Sequence, residues 1–172
     1  KIRVLRDAES RLAPHGFLAS NTSSLSITRM GSELRQPERF LGIHFFNPVS
    51  RMQLVEVVSH DEASADILSK ARAFLGRIDR LPAPVKSAPG FLVNRALTPY
   101  MLEALAMLDE GVKRETIDAA AEQFGMPMGP IELADTVGLD ICLHVADTLK
   151  STLARPMPNP SHLLRSKVAM GD

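Results

Sequence analysis

A histidine, an asparagine and a glutamate stand inside hydrophobic runs of the sequence, where polar side chains are costly unless they are paired. His44 and Asn47 fall in residues 42–48 (GIHFFNP), and Glu56 follows His44 by twelve residues, within residues 54–58 (LVEVV). A histidine held by a carboxylate is a common proton acceptor near neutral pH. The spacing therefore makes general-base chemistry the first hypothesis for this chain.

Two predicted strands must position this pair. Residues 40–45 and 52–58 are rich in β-branched, aromatic and aliphatic side chains, and an asparagine-proline step ends the first run. If the strands form an antiparallel hairpin, the twelve-residue offset lets the Glu56 carboxylate reach the His44 imidazole. A lone strand-end histidine is more often structural, and a lone Glu56 is as often a solvent-facing acid. The hypothesis therefore depends on the two residues together.

Two further polar segments admit both a structural and a ligand-binding interpretation. Residues 20–24 (SNTSS) follow a short apolar run and precede a predicted helix, so their composition alone favours a capping loop. The same hydroxyl and amide groups suit a ligand if the loop lies at the carboxyl end of a strand in an open α/β sheet. Asn94, beside the apolar residues 91–93, is either a structural contact or an amide that binds a ligand.

Residues 1–86 alternate helix and strand patterns. A last extended segment over residues 80–85 is placed at a sheet edge, because its prolines cannot donate to a ladder. Asp61 is expected to cap the helix that follows it. The helices predicted from apolar spacing cover residues 2–13, 25–34 and 62–75.

The remainder of the chain has only helical patterns. A long helix is predicted over residues 91–109, with a kink or a restart at Pro99. Pro130 suits a first helical position, and Asn159 is expected to cap the last helix. An α/β part followed by an all-α part is therefore the predicted fold class, with the boundary at residues 86–90. The other predicted helices cover residues 115–123, 130–137, 139–150 and 161–169.

Composition and charge argue against several classes of protein. The 172 residues are 45% hydrophobic, which is normal for a chain with a sizeable core. Twenty basic residues balance twenty acidic ones, so no net field draws the chain to nucleic acid or to an anionic membrane. The apolar runs are too short for a membrane span, and no metal-ligand spacing is present. A single cysteine, Cys142, excludes an internal disulfide and fits a reducing compartment.

Five segments together resemble the L-3-hydroxyacyl-CoA dehydrogenase family, in that family's order and spacing. The resemblance implies the C-terminal portion of a Rossmann-type NAD domain over residues 1–88, followed by a helical domain over residues 89–172. The segments are residues 20–25 (SNTSSL), 42–48 (GIHFFNP), 54–58 (LVEVV), 89–95 (PGFLVNR) and 127–133 (PMGPIEL).

The resemblance also implies an activity: NAD-dependent oxidation of L-3-hydroxyacyl-CoA to 3-ketoacyl-CoA in fatty-acid β-oxidation. His44 and Glu56 would be the catalytic pair, with His44 taking the hydroxyl proton and Glu56 orienting the ring. The positions that match substrate-binding residues are Ser23, Asn47 and Asn94, and those expected beside the cofactor are Lys1, Ser23 and Asn47.

The sequence departs from the family at its Gly-rich turn, because Gly-x-Gly-x-x-Gly occurs nowhere in it. The first residue is not methionine, so we expect a piece of a longer polypeptide that alone binds NAD poorly and is inactive. Residues 123–130 and 161–164 resemble the dehydrogenase region of multifunctional fatty-acid oxidation alpha subunits. A single-activity dehydrogenase stays an alternative parent.

Partners and other functions follow from the same resemblance. The expected substrate is an acyl-CoA, and the expected protein partners are a second copy of the chain or the thiolase of a β-oxidation complex. The bacterial cytoplasm is favoured over a mitochondrial or peroxisomal location. Two other functions stay open, namely a non-catalytic relative that binds CoA esters and a dehydrogenase of free 3-hydroxy acids.

Overall fold

The computed structural model of the protein describes residues 1–153 and 157–171. The chain divides into the compact units Lys1–Leu92 and Val93–Asp172. The first unit combines a sheet with helices, and the elements described in the second are helices. The predicted fold class, α/β followed by all-α, is confirmed.

Within the described residues, the sheet of the first unit has four strands in the order β1-β2-β3-β4. Strands β1 (Leu18–Ser20) and β2 (Phe40–Phe45) are parallel, and β2 is antiparallel to β3 (Leu54–Ser59). Strand β4 (Leu81–Lys86) pairs parallel with β3 at the edge of the sheet, as its prolines predicted. The helices of this unit are α1 (Ile2–Glu9), α2 (Ile27–Gly31) and α3 (Ala65–Arg77), and a short 3-10 helix covers Pro37–Arg39.

Side chains along β2 and β3 alternate between the two faces of the sheet. One face packs on α3, and the other, which carries Phe40 and Val58, packs on α2 and on Phe91. His44 and Glu56 are even-numbered like Phe40 and Val58, so they share the face opposite α3. The cluster against α3 consists of buried Leu41, Ile43, Val55, Val57, Ile67, Ala71 and Leu75.

Two predicted helix caps are wrong. Asp61 lies in a turn, and helix α3 is capped by Ser64, whose Oγ accepts a hydrogen bond from the Ile67 amide at 3.3 Å. Ser161, not Asn159, caps the last helix, since its Oγ accepts from the Leu164 amide at 3.0 Å. Both serines have the extended backbone that a cap requires, which residue type alone does not reveal.

The largest differences in helix length from the prediction are at α1 and α2, and the helix predicted from residue 91 also begins two residues later, at Val93. Helix α1 ends at Glu9, and beyond it the amides of Arg11 and Leu12 bond to carbonyls three residues earlier, which tightens the chain into turns. Helix α2 begins only after Ser26, whose Oγ accepts a hydrogen bond from the Arg29 amide at 3.1 Å.

The second unit contains α4 (Val93–Asp109), α5 (Arg114–Phe124), α6 (Pro130–Val137), α7 (Leu139–Thr152) and α8 (His162–Met170). Helix α4 continues through Pro99, so the alternative of a restart there does not occur. Packing of α4 against α6, α7 and α8 outweighs the loss of one backbone hydrogen bond there. The predicted first helical position of Pro130 is confirmed.

Two helices of the second unit begin on carboxylates that other helices supply. Gly129 has no side chain to cap α6, and Asp118 of α5 instead accepts the Ile131 amide at 2.8 Å. A Cβ at Gly129 would lie 2.2 Å from the Asp118 side chain, so this close approach requires glycine. Asp109 likewise accepts the amides that open α8. These long-range bonds fix the helix ends that local sequence leaves unpaired.

No helix in the described part of the chain is both long enough and apolar enough to span a lipid bilayer.

Candidate functional site

His44 and Glu56 face each other directly across the β2–β3 pair. The Nδ1 atom of His44 lies 2.7 Å from Oε2 of Glu56, and the two side chains are 8% and 1% exposed. The predicted antiparallel pairing is therefore confirmed, and it brings carboxylate and imidazole into contact inside the unit. Burial strengthens such a hydrogen bond, because little water competes for the two groups.

The hydrogen bonds of the Glu56 carboxylate indicate the tautomer of the imidazole. Oε1 of Glu56 accepts a hydrogen bond from the Leu92 amide at 2.9 Å. An ionised carboxylate can only accept hydrogen bonds, so with Glu56 ionised the ring nitrogen that faces it is assigned the proton. The arrangement thus leaves Nε2 of His44 as the nitrogen that can accept a proton.

Two aromatic rings flank the imidazole. The Phe46 ring lies 4.5 Å from the His44 ring, centroid to centroid, and the Phe91 ring approaches it edge-on at 5.8 Å. Phe91 has φ +47°, in the left-handed region, and follows Gly90 at φ +70°. Neither ring was identified from the sequence as part of the site, since an aromatic residue in an apolar run carries no distinguishing signal.

The polar loop of residues 20–24 follows β1, and Asn47 follows β2. Because these strands are parallel, both segments leave the sheet at the same edge, near His44. Asn21 Oδ1 accepts the Phe45 amide at 2.9 Å, and Thr22 Oγ1 accepts the Leu25 amide at 3.0 Å. The sequence pattern did not single out these two side chains. The Asn21 bond joins the loop to β2, the Thr22 bond closes a turn within the loop, and Ser23 lies exposed in a bend.

The other predicted site residues have different settings. Asn47 is exposed and is joined to Pro48 by a cis peptide bond. Lys1 is exposed at the N-terminal end of α1, where its side chain makes no capping bond. Asn94 belongs to the second unit, where it is the second residue of α4.

Two titratable groups of the second unit have shifted pKa values. Burial raises the pKa of the Cys142 thiol to about 11, and the nearby Asp140 and Asp135 add to the shift. Burial, and to a smaller extent Asp118, also raises the pKa of Tyr100. Across residues 1–153 and 157–171, no three His, Cys, Asp or Glu side chains are grouped to hold a metal ion.

Family profiles cover nearly the whole chain. The profile described as "3-hydroxyacyl-CoA dehydrogenase, NAD binding domain" matches residues 1–88. The profile described as "3-hydroxyacyl-CoA dehydrogenase, C-terminal domain" matches residues 90–172.

Similar proteins include a fatty acid oxidation complex subunit alpha from Psychrobacter sp. (strain PRwf-1). It is 42% identical over 149 residues, which are 87% of this chain and 21% of that protein. The chain thus spans about a fifth of the length of such curated relatives.

Solved structures give the same picture. The (S)-3-hydroxybutyryl-CoA dehydrogenase from Ralstonia eutropha matches with a TM-score of 0.93 and 37% identity, over 99% of this chain and 61% of that one. The 3-hydroxybutyryl-CoA dehydrogenase from Escherichia coli K12 matches with a TM-score of 0.90 and 36% identity, over 99% of this chain and 37% of that one.

Proposed function

The chain belongs to the 3-hydroxyacyl-CoA dehydrogenase family, and we propose that the protein carrying it oxidises L-3-hydroxyacyl-CoA to 3-ketoacyl-CoA with NAD in fatty-acid β-oxidation. The observation that carries the proposal is the buried contact of His44 with Glu56 at 2.7 Å. Oxidation of an alcohol needs a group that removes the hydroxyl proton, and an imidazole with a fixed tautomer is suited to that task.

In this proposal His44 Nε2 accepts the hydroxyl proton of the substrate. The imidazole then becomes a cation, and the Glu56 carboxylate at Nδ1 stabilises that charge inside the unit. NAD, when bound, supplies the acceptor for the hydride that leaves C3. Because Glu56 already holds the ring, His44 needs no reorientation when the proton moves.

The remaining predicted residues have proposed binding roles. Ser23, Asn47 and Asn94 would hold the oxygen atoms of the substrate, and Lys1, Ser23 and Asn47 would lie beside NAD. The carboxyl ends of the parallel strands β1 and β2 support the roles of Ser23 and Asn47, since these exposed hydroxyl and amide groups follow the two strands there. These groups fit a polar ligand such as the nicotinamide end of NAD.

We also propose the extent of the domains: residues 1–88 for the C-terminal portion of the NAD domain and residues 89–172 for the helical domain. No Gly-x-Gly-x-x-Gly turn occurs in the 172 residues, so they contain no backbone cradle of that type for a pyrophosphate. The 172 residues alone are therefore expected to bind NAD weakly and to be inactive.

The proposed partners are those that suit a β-oxidation enzyme. We propose an acyl-CoA substrate, and either a second copy of the chain or a thiolase as protein partner. The bacterial relatives and the unpaired Cys142 support the bacterial cytoplasm as the compartment.

The test is NADH oxidation by the full-length protein that carries this sequence, with acetoacetyl-CoA as substrate. In this direction the reaction runs in reverse and His44 returns the proton to the ketone oxygen. His44→Ala is therefore expected to lower kcat about 10²- to 10⁴-fold, the contribution typical of general acid–base catalysis. His60→Ala is the matched control, because His60 is also buried in the first unit but bonds only a backbone oxygen, at Phe40, in the described structure.

The outcomes separate the candidate functions. A rate that His44→Ala leaves unchanged would contradict the proposed role of His44. A folded wild-type protein that binds a CoA ester without turnover would favour the non-catalytic alternative. Oxidation of a free 3-hydroxy acid in preference to the thioester would favour the other alternative, a dehydrogenase of free 3-hydroxy acids.

A further inference from the structure

The Glu56 carboxylate binds two groups of the first unit at once. One oxygen accepts from the His44 ring and the other from the Leu92 amide, and Leu92 is the neighbour of Phe91. The Phe91 ring in turn packs edge-on against the His44 ring. Through these contacts one carboxylate fixes the positions of both the His44 imidazole and the Phe91 ring that packs against it.

The backbone at Phe91 is strained. A φ of +47° is uncommon for a bulky residue, so surrounding contacts must hold it. Gly90, at φ +70°, turns the chain into this segment, and the Leu92 amide is fixed by Glu56. Phe91 is 5% exposed and belongs to the cluster that contains Phe40 and Val58.

We propose that Phe91 is a positioning residue for the His44 imidazole, and that Glu56 sets its place through the amide of Leu92. This inference rests on the proposed function of the same site. With Phe46 at 4.5 Å and Phe91 at 5.8 Å, the rings restrict rotation of the imidazole. They also keep water from the bond between Nδ1 and Oε2, so Nε2 keeps one direction towards its substrate.

The experiment compares Phe91→Leu with wild type in the full-length protein labelled with ¹⁵N-histidine. The exchange of the His44 Nδ1 proton with solvent is measured by NMR and is expected to become at least ~10-fold faster, because water reaches the bond. In turnover of acetoacetyl-CoA, kcat is expected to fall about 10- to 100-fold with little change in KM, as for a misplaced catalytic group. Phe91→Tyr keeps the ring edge and should restore both values.

Leu34→Ala is the matched control. Leu34 is buried in the same cluster as Phe91, so this change also removes core volume, but it leaves the His44 ring contacts in place. Proton exchange equal in Phe91→Leu and Leu34→Ala, or unchanged from wild type, overturns the proposal. If Phe91→Leu does not fold, Phe91→Met, which fills more of the volume, is measured against the same control.

The two readouts distinguish the two proposals. Proton exchange requires no turnover, so faster exchange in Phe91→Leu supports the positioning role even in a protein that does not oxidise 3-hydroxyacyl-CoA. An active protein in which Phe91→Leu alters neither exchange nor kcat keeps its proposed function and loses the proposed positioning residue.

Discussion

Glu56 in the first unit and Asp118 in the second are both buried carboxylates that accept a backbone amide. Glu56 accepts that of Leu92 at 2.9 Å, and Asp118 accepts that of Ile131 at 2.8 Å. They differ in the partner of the other oxygen: an imidazole for Glu56 and, at 3.6 Å, the Arg114 guanidinium for Asp118. An imidazole exchanges protons near neutral pH, whereas a guanidinium does not.

Burial of a carboxylate therefore does not by itself indicate a catalytic site. Asp118 completes the N-terminus of α6, where Gly129 has no side chain, and so stabilises architecture. Glu56 likewise accepts a backbone amide, that of Leu92, but its other oxygen pairs with an imidazole that can take up a proton. The pairing of a buried acid with a group that can take up a proton is the feature that separates a candidate site from a helix cap.

The change that should separate the two carboxylates most clearly is conversion of each to its amide. In Glu56→Gln the new NH₂ group can donate to Nδ1 of His44, which places the ring proton on Nε2 and removes the proton acceptor. We expect kcat to fall about 10²- to 10⁴-fold in the full-length protein, measured in the direction of alcohol oxidation as NAD reduction with L-3-hydroxybutyryl-CoA. Asp118→Asn should leave kcat within about twofold, since no proton-transfer group depends on it.

Thermal unfolding is the control for both amide variants, because each keeps an oxygen for its backbone amide. A rate loss in Asp118→Asn as large as that in Glu56→Gln, with both proteins folded, would remove the distinction between the two units.

Truncation of Asp118 tests its architectural role. Asp118→Ala leaves the Ile131 amide without its acceptor, so we expect a loss of about 1–3 kcal/mol in the free energy of unfolding, measured by denaturant titration. Asp135→Ala is the matched control, since Asp135 also pairs with Arg114 but is 47% exposed. That change should cost less than ~1 kcal/mol. Equal losses would mean that the cap at α6 contributes little.

Near neutral pH, Cys142 is expected to affect activity and stability less than Glu56 or Asp118 does. Its pKa of about 11, raised by burial first and by Asp140 and Asp135 second, keeps the thiol neutral in the folded protein. Alkylation by iodoacetamide at pH 8 is therefore expected to be on the order of 100-fold slower than for an unfolded control. Fast labelling of folded protein would show that the thiol is accessible and ionised.

The same shift gives a pH dependence with a definite sign. The folded-state pKa lies above the ordinary value of 9.0, so the contribution of the neutral thiol to stability is fully present below pH 9.0. It is lost as the pH rises through about 11. Cys142→Ala should lack this alkaline component, which is checked by comparing the midpoints of thermal unfolding at pH 8 and pH 10.

Local pattern was sufficient where one physical rule dominates. The predicted strand over residues 40–45 matches β2, and the hairpin that joins His44 to Glu56 followed from apolar runs interrupted by an acid. The helices of the second unit were predicted from apolar spacing in the same way. In these cases hydrophobic burial along a short segment decides the structure.

Features that depend on residues far apart in the sequence were not predicted. The Asp118 bond to the amide of Ile131 joins two helices, and no local pattern in residues 114–124 marks it. The Phe91 contact with His44 and the Leu92 bond to Glu56 arise only when residues 90–92 turn back onto the sheet. The caps at Ser64 and Ser161 depend on backbone angles, so nearby polar residues were equally plausible from composition.

The direct pairing of His44 with Glu56 also constrains how the sheet can assemble. Because side chains alternate between faces, a slip of one residue would place Val55 or Val57 opposite His44 and turn the Glu56 carboxylate to the face packed on α3. That arrangement buries an acid among apolar side chains at a cost of several kcal/mol. The ionisable pair therefore fixes the register of β2 against β3. A chain whose strands paired in another register would be unstable as well as inactive.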